Sequence, residues 1–234
     1  AATRLPGKPL LKINNLSIIS HVFKRAEEAK IGEVVVATED QKILEDVIKN
    51  GGRGILTSSN HKTGTDRIFE AYKKLEIKDV DYVLNLQGDE PNIDKNDIIS
   101  LNNFMINNNS EIGTLAATIQ DDKIANNKNV VKVITEKKLK KNNFPIALNF
   151  TRDNLSKNNS NIYHHIGIYS YKTSILEKFV SLAQTTNEIE NKLEQLRALD
   201  NKLKINVALA KSSPIGIDTE EDYLAIKKIM EYKS

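Results

Sequence analysis

The sequence lacks several features that define whole classes of protein. It contains no cysteine, which excludes disulfide frameworks, thiolate zinc sites and cysteine nucleophiles. No apolar run approaches the ~20 residues of a membrane-spanning helix. The opening AATRLPGKPL has no apolar stretch behind a basic start, so we expect neither membrane insertion nor a secretory signal. Aromatic residues make up only 6% and the net charge is only +3. Because nucleic-acid binding usually needs a basic face or arm, we expect no nucleic-acid partner.

What is present is the composition of a folded globular protein. The 234 residues are 39% hydrophobic and 28% charged, which is enough for one sizeable core. Lysine supplies most of the 34 basic residues, so arginine is rare. A planar guanidinium binds phosphate or carboxylate with two parallel hydrogen bonds, which makes the few arginines candidates for anion binding. They are Arg4, Arg25, Arg53, Arg67, Arg152 and Arg197.

Hydrophobic periodicity predicts an α/β fold for the first half of the chain. Helical stripes alternate with short β-branched runs, which is typical of a mostly parallel sheet with helices on both faces. Asp40 is predicted to cap the second helix, and Thr65 or Asp66 the third. The predicted helices are 16–30, 40–48 and 65–75, and the predicted strands are 33–38, 53–56 and 81–86.

The second half has a different pattern. Strand patterns at 112–119, 130–135, 147–151 and 165–171 have few helices between them, which predicts antiparallel additions to the sheet. A helix at 188–199, a strand at 205–210 and a helix at 219–230 are predicted to follow. Residues 154–161, NLSKNNSN, are predicted to form an exposed, mobile loop.

Two kinds of stretch have the chemistry of a phosphate or metal site. Arg4 and Lys8 lie four residues apart in TRLPGKP, where Gly7 permits close approach of the backbone to a polyphosphate. The alternative to a phosphate-binding segment is a basic, flexible chain terminus. Asp89 follows a predicted strand, where ligands bind in open α/β sheets and a carboxylate can hold Mg²⁺, but it could also cap a tight turn. Asp218 follows another strand and could share that metal or cap the last helix.

A pair of histidines lies in the strand predicted at 165–171. Neighbouring side chains of a strand point to opposite faces, so His164 and His165 are not expected to bind one metal ion. The period of two instead groups His165, Gly167, Tyr169 and Tyr171 on one face. That face is either a binding surface or the site of a satisfied, partly buried histidine.

The LEQLR stretch is predicted to be helical. Ile189, Leu193 and Leu196 form the predicted buried stripe, and Glu194 and Gln195 flank it. Solvated surface is the alternative to a binding role for these two polar residues.

Taken in order, ten stretches resemble the 3-deoxy-manno-octulosonate cytidylyltransferases, or CMP-Kdo synthetases. Each is modest alone, but together they span nearly the whole chain in a fixed order. They are TRLPGKPL (3–10), HVFKRA (21–26), VVVATED (34–40), HKTGTDRI (61–68), NLQGDEP (85–91), NVVKVIT (129–135), FTR (150–152), HHIGIYSY (164–171), LEQLR (193–197) and GIDTEED (216–222).

The resemblance implies a nucleotide-diphospho-sugar transferase fold. This is an α/β domain with a mixed, mostly parallel sheet, helices on both faces and a smaller antiparallel β lobe. We expect a single nucleotidyltransferase domain over 1–234, with the β-rich sugar-binding and dimerisation lobe at about 120–200, and a homodimer. The family also has a buried strand upstream of the position of Thr3. Because the sequence begins at Ala1, we expect it to be incomplete at its start.

The activity implied by the resemblance is transfer of CMP from CTP to 3-deoxy-D-manno-octulosonate (Kdo), with release of pyrophosphate. The reaction would take place in the cytoplasm and serve lipopolysaccharide inner-core synthesis. The sugar hydroxyl would attack the α-phosphorus in line, with Mg²⁺ neutralising phosphate charge. By position, Asp89 and Asp218 would bind the metal, and Arg4 and Lys8 would stabilise pyrophosphate.

The resemblance divides the remaining site residues between the two substrates. Arg152 would bind the carboxylate of Kdo, since a planar fork meets a planar acid. His164 stands where the family often has arginine. The CTP side would be lined by Thr63, Gly64 and Arg67, and the sugar acid would be held by Gln87, Arg152, His165, Tyr169, Glu194 and Gln195.

Two alternatives stay open. One is a cytidylyltransferase for another acid sugar, such as a sialic acid, against which LEQLR and HHIGIYSY argue. The other is a nucleotide-binding homologue that has lost catalysis. The presence of Asp89, Asp218 and Arg152 argues against that second alternative, whereas the missing upstream strand argues for it.

Overall fold

A computed structural model describes residues 5–119, 125–153, 161–213 and 216–232. Arg4 and residues 154–160 of the predicted mobile loop lie outside the described residues. The chain divides into two compact units. The first unit comprises Ala1–Leu75, Leu86–Ile98 and Pro214–Ser234, and the second comprises Glu76–Asn85 and Ile99–Ser213. The predicted boundaries of a β-rich lobe stay a prediction.

Helices and strands alternate along the first half of the chain, and strands dominate the middle. After a 3₁₀ turn at Lys8–Leu10, the order is β1 (Lys12–Ile13), β2 (Leu16–Ser17), α1 (Ile18–Ala29), β3 (Val36–Thr38), α2 (Gln41–Lys49), β4 (Gly54–Leu56), α3 (Gly64–Leu75), β5 (Tyr82–Leu86) and α4 (Lys95–Asn108). Next come β6 (Ile112–Ala117), β7 (Lys132–Thr135), β8 (Ala147–Thr151), β9 (Ile162–Lys172), α5 (Thr173–Ser181), α6 (Thr186–Asn191), α7 (Leu196–Asp200), β10 (Ile205–Leu209) and α8 (Glu220–Glu231).

The first unit is built on the parallel pair β3–β4, in which Val36 lies opposite Gly54. A Cβ atom added at Gly54 would lie 2.5 Å from Leu44 Cδ1, so glycine allows α2 to pack closely on β4. The predicted cap of α2 is confirmed, because the Asp40 side chain accepts a hydrogen bond from the Lys42 amide. A hydrophobic cluster in this unit joins β1, α1 and α8 through Ile13, Ile18, Ile217 and Ile226.

The second unit contains a six-stranded sheet with the order β10–β6–β9–β7–β8, and β5 pairs with β9. β10 and β6 are parallel, whereas β6–β9, β9–β7 and β7–β8 are antiparallel. The α/β class, the mixed sheet and the antiparallel additions in the second half are therefore confirmed. The hairpin β1–β2 and the helices α4 and α5 were not predicted from the periodicity.

The predicted helix at 188–199 is wrong, because the chain forms two short helices there. Lys192 has a φ of 53° at the C-cap of α6 and ends that helix, and α7 begins four residues later at Leu196. Leu193 and Leu196 are buried as predicted, but Ile189 is 58% exposed. Glu194 and Gln195 therefore lie in the turn between the two helices rather than on one helical face.

The predicted cap of α3 is also corrected. Gly64 is already helical, and the Thr63 hydroxyl accepts a hydrogen bond from the Asp66 amide at 3.2 Å. Thr63, not Thr65 or Asp66, is the side chain that satisfies this free amide. Within the described ranges, no helix has the length and apolar character needed to cross a membrane.

Candidate active site

Three charged side chains of the first unit meet at one point. Lys8 begins the 3₁₀ turn that follows Gly7, whose φ of 69° suits glycine. Its ammonium Nζ lies 2.8 Å from Asp89 Oδ2 and 3.4 Å from Asp218 Oδ1. The Ile217 amide donates to the Asp89 carbonyl at 3.0 Å, which ties the two aspartate loops together. Lys8 therefore brings together two carboxylates that are far apart in sequence.

Neither aspartate serves as the cap of the helix that follows it. Before α4 it is Asp94 that accepts the Asn96 amide, at 2.8 Å. Thr219 is the N-cap of α8 and forms a capping box with Asp222. The Asp218 amide also donates to the Asp222 carboxylate, at 3.1 Å. Asp89 therefore does not cap α4, and the alternative that Asp218 caps the last helix is wrong.

The donor set at this point suits a hard divalent cation. Two carboxylates converge on one ammonium, which is a positive charge of the kind that a metal ion would supply. Mg²⁺ is typically bound by one or two carboxylates together with water and substrate phosphates. No cluster of three or more potential protein ligands occurs in the described part of the chain. The residues therefore fit the predicted Mg²⁺.

A second polar cluster lies at the carboxyl ends of β3 and β4. Arg67 Nη1 donates to Thr57 Oγ1 at 2.7 Å and to the Ser58 carbonyl at 3.2 Å. Its Nη2 pairs with Glu39 Oε2 at 2.6 Å. Glu39 and Thr57 each come just after a parallel strand, the edge at which α/β sheets bind ligands. Arg67 thus fixes the two loops beside Thr63.

Glu70 binds the same loop through Ser58 and His61. Its carboxylate accepts the Ser58 amide at 2.9 Å, pairs with Lys74 at 2.7 Å and contacts His61. The pKa of Glu70 is lowered to about 2, mainly by the hydrogen bond from Lys74 and next by that from His61. Glu39 and Glu70 were not predicted from the sequence as site residues. The i,i+4 spacing of Glu70 and Lys74 was the available signal.

Gln87 is exposed in the turn after β5 and lies in the first unit. A Cβ atom at the next residue, Gly88, would lie 2.9 Å from Ile19 Cδ1, so the Ile19 side chain would have to shift. The glycine thus lets the turn that carries Gln87 and Asp89 approach α1 closely.

His165 and Tyr169 belong to a row of rings in the second unit. A bulge in β9 places Tyr169 opposite Thr114 and Ile166 opposite Leu115. The ring centroids of His165 and Tyr169 are 5.3 Å apart, and those of Tyr169 and Tyr171 are 6.0 Å apart. The predicted grouping of these three rings on one face is therefore confirmed.

His165 is buried and hydrogen-bonded. Thr114 Oγ1 uses its single hydrogen on the Ile168 carbonyl at 2.7 Å, so His165 Nε2 donates to Thr114 Oγ1 at 3.0 Å. Burial, aided by His164 and then Arg152, lowers the pKa of His165 to about 3. His165 is thus the neutral Nε2–H tautomer near pH 7. The Tyr169 hydroxyl is buried and has no hydrogen-bond partner among the described residues, and its burial raises its pKa.

Arg152 follows β8 and is fixed by two hydrogen bonds. Its Nη1 donates to the Asn129 carbonyl at 2.7 Å. The ammonium of Lys132, a fully buried residue, donates to the carbonyls of Asn127 at 2.8 Å and Arg152 at 3.2 Å. Burial is the main cause that lowers the pKa of Lys132, with a smaller contribution from Arg152. Lys132 was not predicted from the sequence as a site residue.

Glu194 and Gln195 are half-buried in the turn between α6 and α7, so fully solvated surface does not describe them. The carbonyl of Glu194 accepts the Arg197 amide, and that of Gln195 accepts the Ala198 amide. The predicted site residues are therefore divided between the two units. Lys8, Thr63, Gly64, Arg67, Gln87, Asp89 and Asp218 lie in the first unit, and Arg152, His165, Tyr169, Glu194 and Gln195 in the second.

Known proteins are similar to this chain over nearly its whole length. A family model described as cytidylyltransferase matches residues 1–205. A 3-deoxy-manno-octulosonate cytidylyltransferase of Thermodesulfovibrio yellowstonii is 45% identical over 246 residues, covering 98% of this chain and 94% of the relative. One from Bartonella bacilliformis is 40% identical over 234 residues, with the same coverage. The chain belongs to the 3-deoxy-manno-octulosonate cytidylyltransferase family.

Solved structures have the same fold as this chain. The structure of CMP:2-keto-3-deoxy-manno-octonic acid synthetase complexed with CTP is 32% identical, with a TM-score of 0.89 and coverage of 100% of this chain and 95% of that one. Apo UDP-glucose pyrophosphorylase has a TM-score of 0.72 at 13% identity, covering 99% of this chain and 95% of that one, and shares the fold alone. The family predicted from the ten motifs is confirmed.

Proposed function

We propose that this protein transfers CMP from CTP to Kdo and releases pyrophosphate. The observation that carries the proposal is the convergence of Lys8, Asp89 and Asp218 in a chain whose near-full-length relatives are Kdo cytidylyltransferases. A CTP-bound synthetase with the same fold supports the choice of nucleotide. In this reaction an anomeric hydroxyl of the sugar attacks the α-phosphorus, and pyrophosphate leaves.

Asp89 and Asp218 are the residues proposed to hold Mg²⁺. When bound, the ion would neutralise charge on the nucleotide phosphates. The Lys8 ammonium bonds both carboxylates, and it is proposed to contact a phosphate oxygen at the same point. Arg4 is proposed to join Lys8 on the leaving pyrophosphate. Donors aimed in advance at developing negative charge lower the barrier without reorganisation.

The proposed CTP side is formed by Thr63, Gly64 and Arg67. α3 begins at Gly64, and the N-terminus of a helix favours anionic oxygen. Arg67 already bonds three groups of the neighbouring loops, so its proposed contribution is to shape those loops around the nucleotide.

For the sugar acid, Arg152 is proposed to bind the carboxylate. The buried Tyr169 hydroxyl lacks a partner among the described residues, which supports a hydrogen bond to a sugar hydroxyl. Neutral His165 adds no charge beside Arg152. Gln87, Glu194 and Gln195 supply further hydrogen-bonding groups for the sugar. A homodimer, a cytoplasmic location and a role in lipopolysaccharide inner-core synthesis complete the proposal, and all three rest on the family resemblance.

The test is pyrophosphate release from CTP and Mg²⁺, with Kdo and with a sialic acid as acceptors. We expect release with Kdo alone, and a product whose mass is that of CMP-Kdo. Release with sialic acid alone would replace the proposed acceptor. Tight CTP binding without release for either sugar would instead support a homologue that has lost catalysis.

A further inference from the structure

Glu188 and Arg197, in the second unit, form a pair of opposite charges that is shielded from solvent. The side chains of Glu188 and Arg197 are only 3% and 2% exposed. Arg197 Nε donates to Glu188 Oε2 at 2.8 Å, and Nη2 donates to Oε1 at 2.5 Å, so the pair is bidentate. Neither residue belongs to the substrate-binding groups described above.

The surroundings of the pair hold both side chains in place. Glu188 accepts a further hydrogen bond from Gln184 Nε2 at 3.1 Å and completes the capping box with Thr185. The guanidinium of Arg197 lies 4.8 Å from the ring centroid of Phe179. Burying two charges is costly, and apolar residues of similar volume are often as stable or more stable. A stability role alone therefore does not account for this pair, whereas the fixed orientation of the two side chains does.

The pair closes the turn that carries Glu194 and Gln195. α6 has six residues and α7 five, so neither helix is long enough to be stable without tertiary contacts. At one end of the turn the Leu193 amide donates to the Glu188 carbonyl at 3.2 Å, and at the other the Arg197 amide donates to the Glu194 carbonyl at 3.1 Å. Glu188 and Arg197 thus anchor the two ends of the segment through backbone and side chain together.

We propose that Glu188 and Arg197 are positioning residues for Kdo recognition, which set the placement of Glu194 and Gln195 without touching the sugar. The inference rests on the proposed function. Misplacement of binding groups by about 1 Å can cost up to a hundredfold in rate or affinity. Breaking the pair should therefore change KM for Kdo and leave KM for CTP unchanged.

The decisive variant is the double substitution Glu188→Leu/Arg197→Met. It replaces the charges by apolar groups of similar length, so we expect an unfolding midpoint that is unchanged or raised. We expect KM for Kdo to rise roughly 10- to 100-fold, with KM for CTP unchanged. Hydrogen exchange at the amides of Arg197 and Ala198 should speed up at least tenfold, because the turn is no longer fixed. This exchange is read without any substrate.

Arg197→Lys is the conservative companion and keeps the charge but loses the bidentate fork. We expect an intermediate rise in KM for Kdo, and this variant decides the matter if the double variant fails to fold. Leu176→Ala, a core substitution in α5, is the control for a general loss of stability and should raise neither KM.

Unchanged KM for Kdo and unchanged amide exchange in a folded variant would overturn the inference, as would an equal rise in both KM values. If the wild-type protein releases no pyrophosphate with Kdo, the proposed function fails. In that case the exchange measurement alone decides whether the pair holds the turn.

Discussion

Single side chains carry the charge balance of the proposed metal site. Lys8 lies between Asp89 and Asp218, so the removal of one carboxylate leaves the ammonium with a partner and the fold with few lost contacts. The loss should therefore appear in activity and not in folding.

Asp89→Asn tests this expectation. An amide is a poor ligand for Mg²⁺, so we expect pyrophosphate release to fall about 1000-fold, which corresponds to roughly 4 kcal/mol of lost transition-state stabilisation. Thermal unfolding should be nearly unchanged. Asp94→Asn is the matched control, because Asp94 binds the start of α4 and is predicted to keep activity. Near-normal release by Asp89→Asn would remove this residue from the proposed site.

The neutral state of His165 makes stability depend on pH. Its pKa is about 3 in the folded protein and about 6.5 when unfolded, so between these values the unfolded chain binds the extra proton. The contribution of neutral His165 is complete above about pH 6.5 and is lost progressively as the pH falls towards 3. From pH 7 to 5, we expect the wild-type protein to lose about 2 kcal/mol more than His165→Gln in urea unfolding.

His21 and His164 also have lowered pKa values. Both are present in the wild-type protein and in the variant, so their contributions to the pH dependence cancel in this comparison. Circular dichroism can follow the transitions, since the chain has no tryptophan. Equal pH dependence in the two proteins would mean that His165 is not buried in its neutral form.

At the scale of elements, the start of α8 fixes the loop of Asp218. The Asp222 carboxylate accepts the amides of both Asp218 and Thr219, and the Thr219 hydroxyl accepts the Asp222 amide at 3.2 Å. One helix cap therefore also orients the backbone of a proposed metal ligand.

Thr219→Ala removes this cap. We expect the free energy of unfolding to fall by about 1 kcal/mol and the Mg²⁺ concentration for half-maximal activity to rise about tenfold. Thr185→Ala removes the corresponding capping box of α6 and should lower stability by a similar amount without changing the Mg²⁺ requirement. The same Mg²⁺ dependence in both variants would show that the cap of α8 serves folding only.

At the scale of the whole molecule, the predicted site residues divide between two compact units. The first unit carries the proposed metal and CTP residues, and the second carries most of the proposed sugar residues. If this division is functional, substitutions in the two units should affect different substrates.

Arg152→Lys and Arg67→Lys form a reciprocal pair that tests this division. Loss of a bidentate contact to the carboxylate should raise KM for Kdo roughly 10- to 100-fold in Arg152→Lys and leave KM for CTP unchanged. Arg67→Lys should do the reverse, by about tenfold, because lysine cannot bond Thr57, Ser58 and Glu39 together. Steady-state kinetics with each substrate varied in turn measures both values. Parallel changes in both KM values for either variant would contradict the division.

Local signals predicted the elements whose cause is local. The β-branched run before Asp40 and the cap itself led directly to β3 and α2, because neighbouring residues supply both propensity and hydrogen bond. The break between α6 and α7 escaped prediction, since the stripe of Leu193 and Leu196 continues the helical period across it. A buried ion pair and a left-handed Lys192 override that period, and neither is visible in a hydrophobic pattern.

The sequence by itself determined the α/β class, the family and the residue types of the candidate site, because these follow from periodicity and from motifs in a fixed order. Only the tertiary structure decided which of those residues meet. Lys8 reaches Asp89 across 81 positions and Asp218 across 210. His165 loses its charge through burial, and neither Asp89 nor Asp218 caps the helix that follows it. Long-range contacts and desolvation belong to the folded chain, and no local stretch of sequence encodes them.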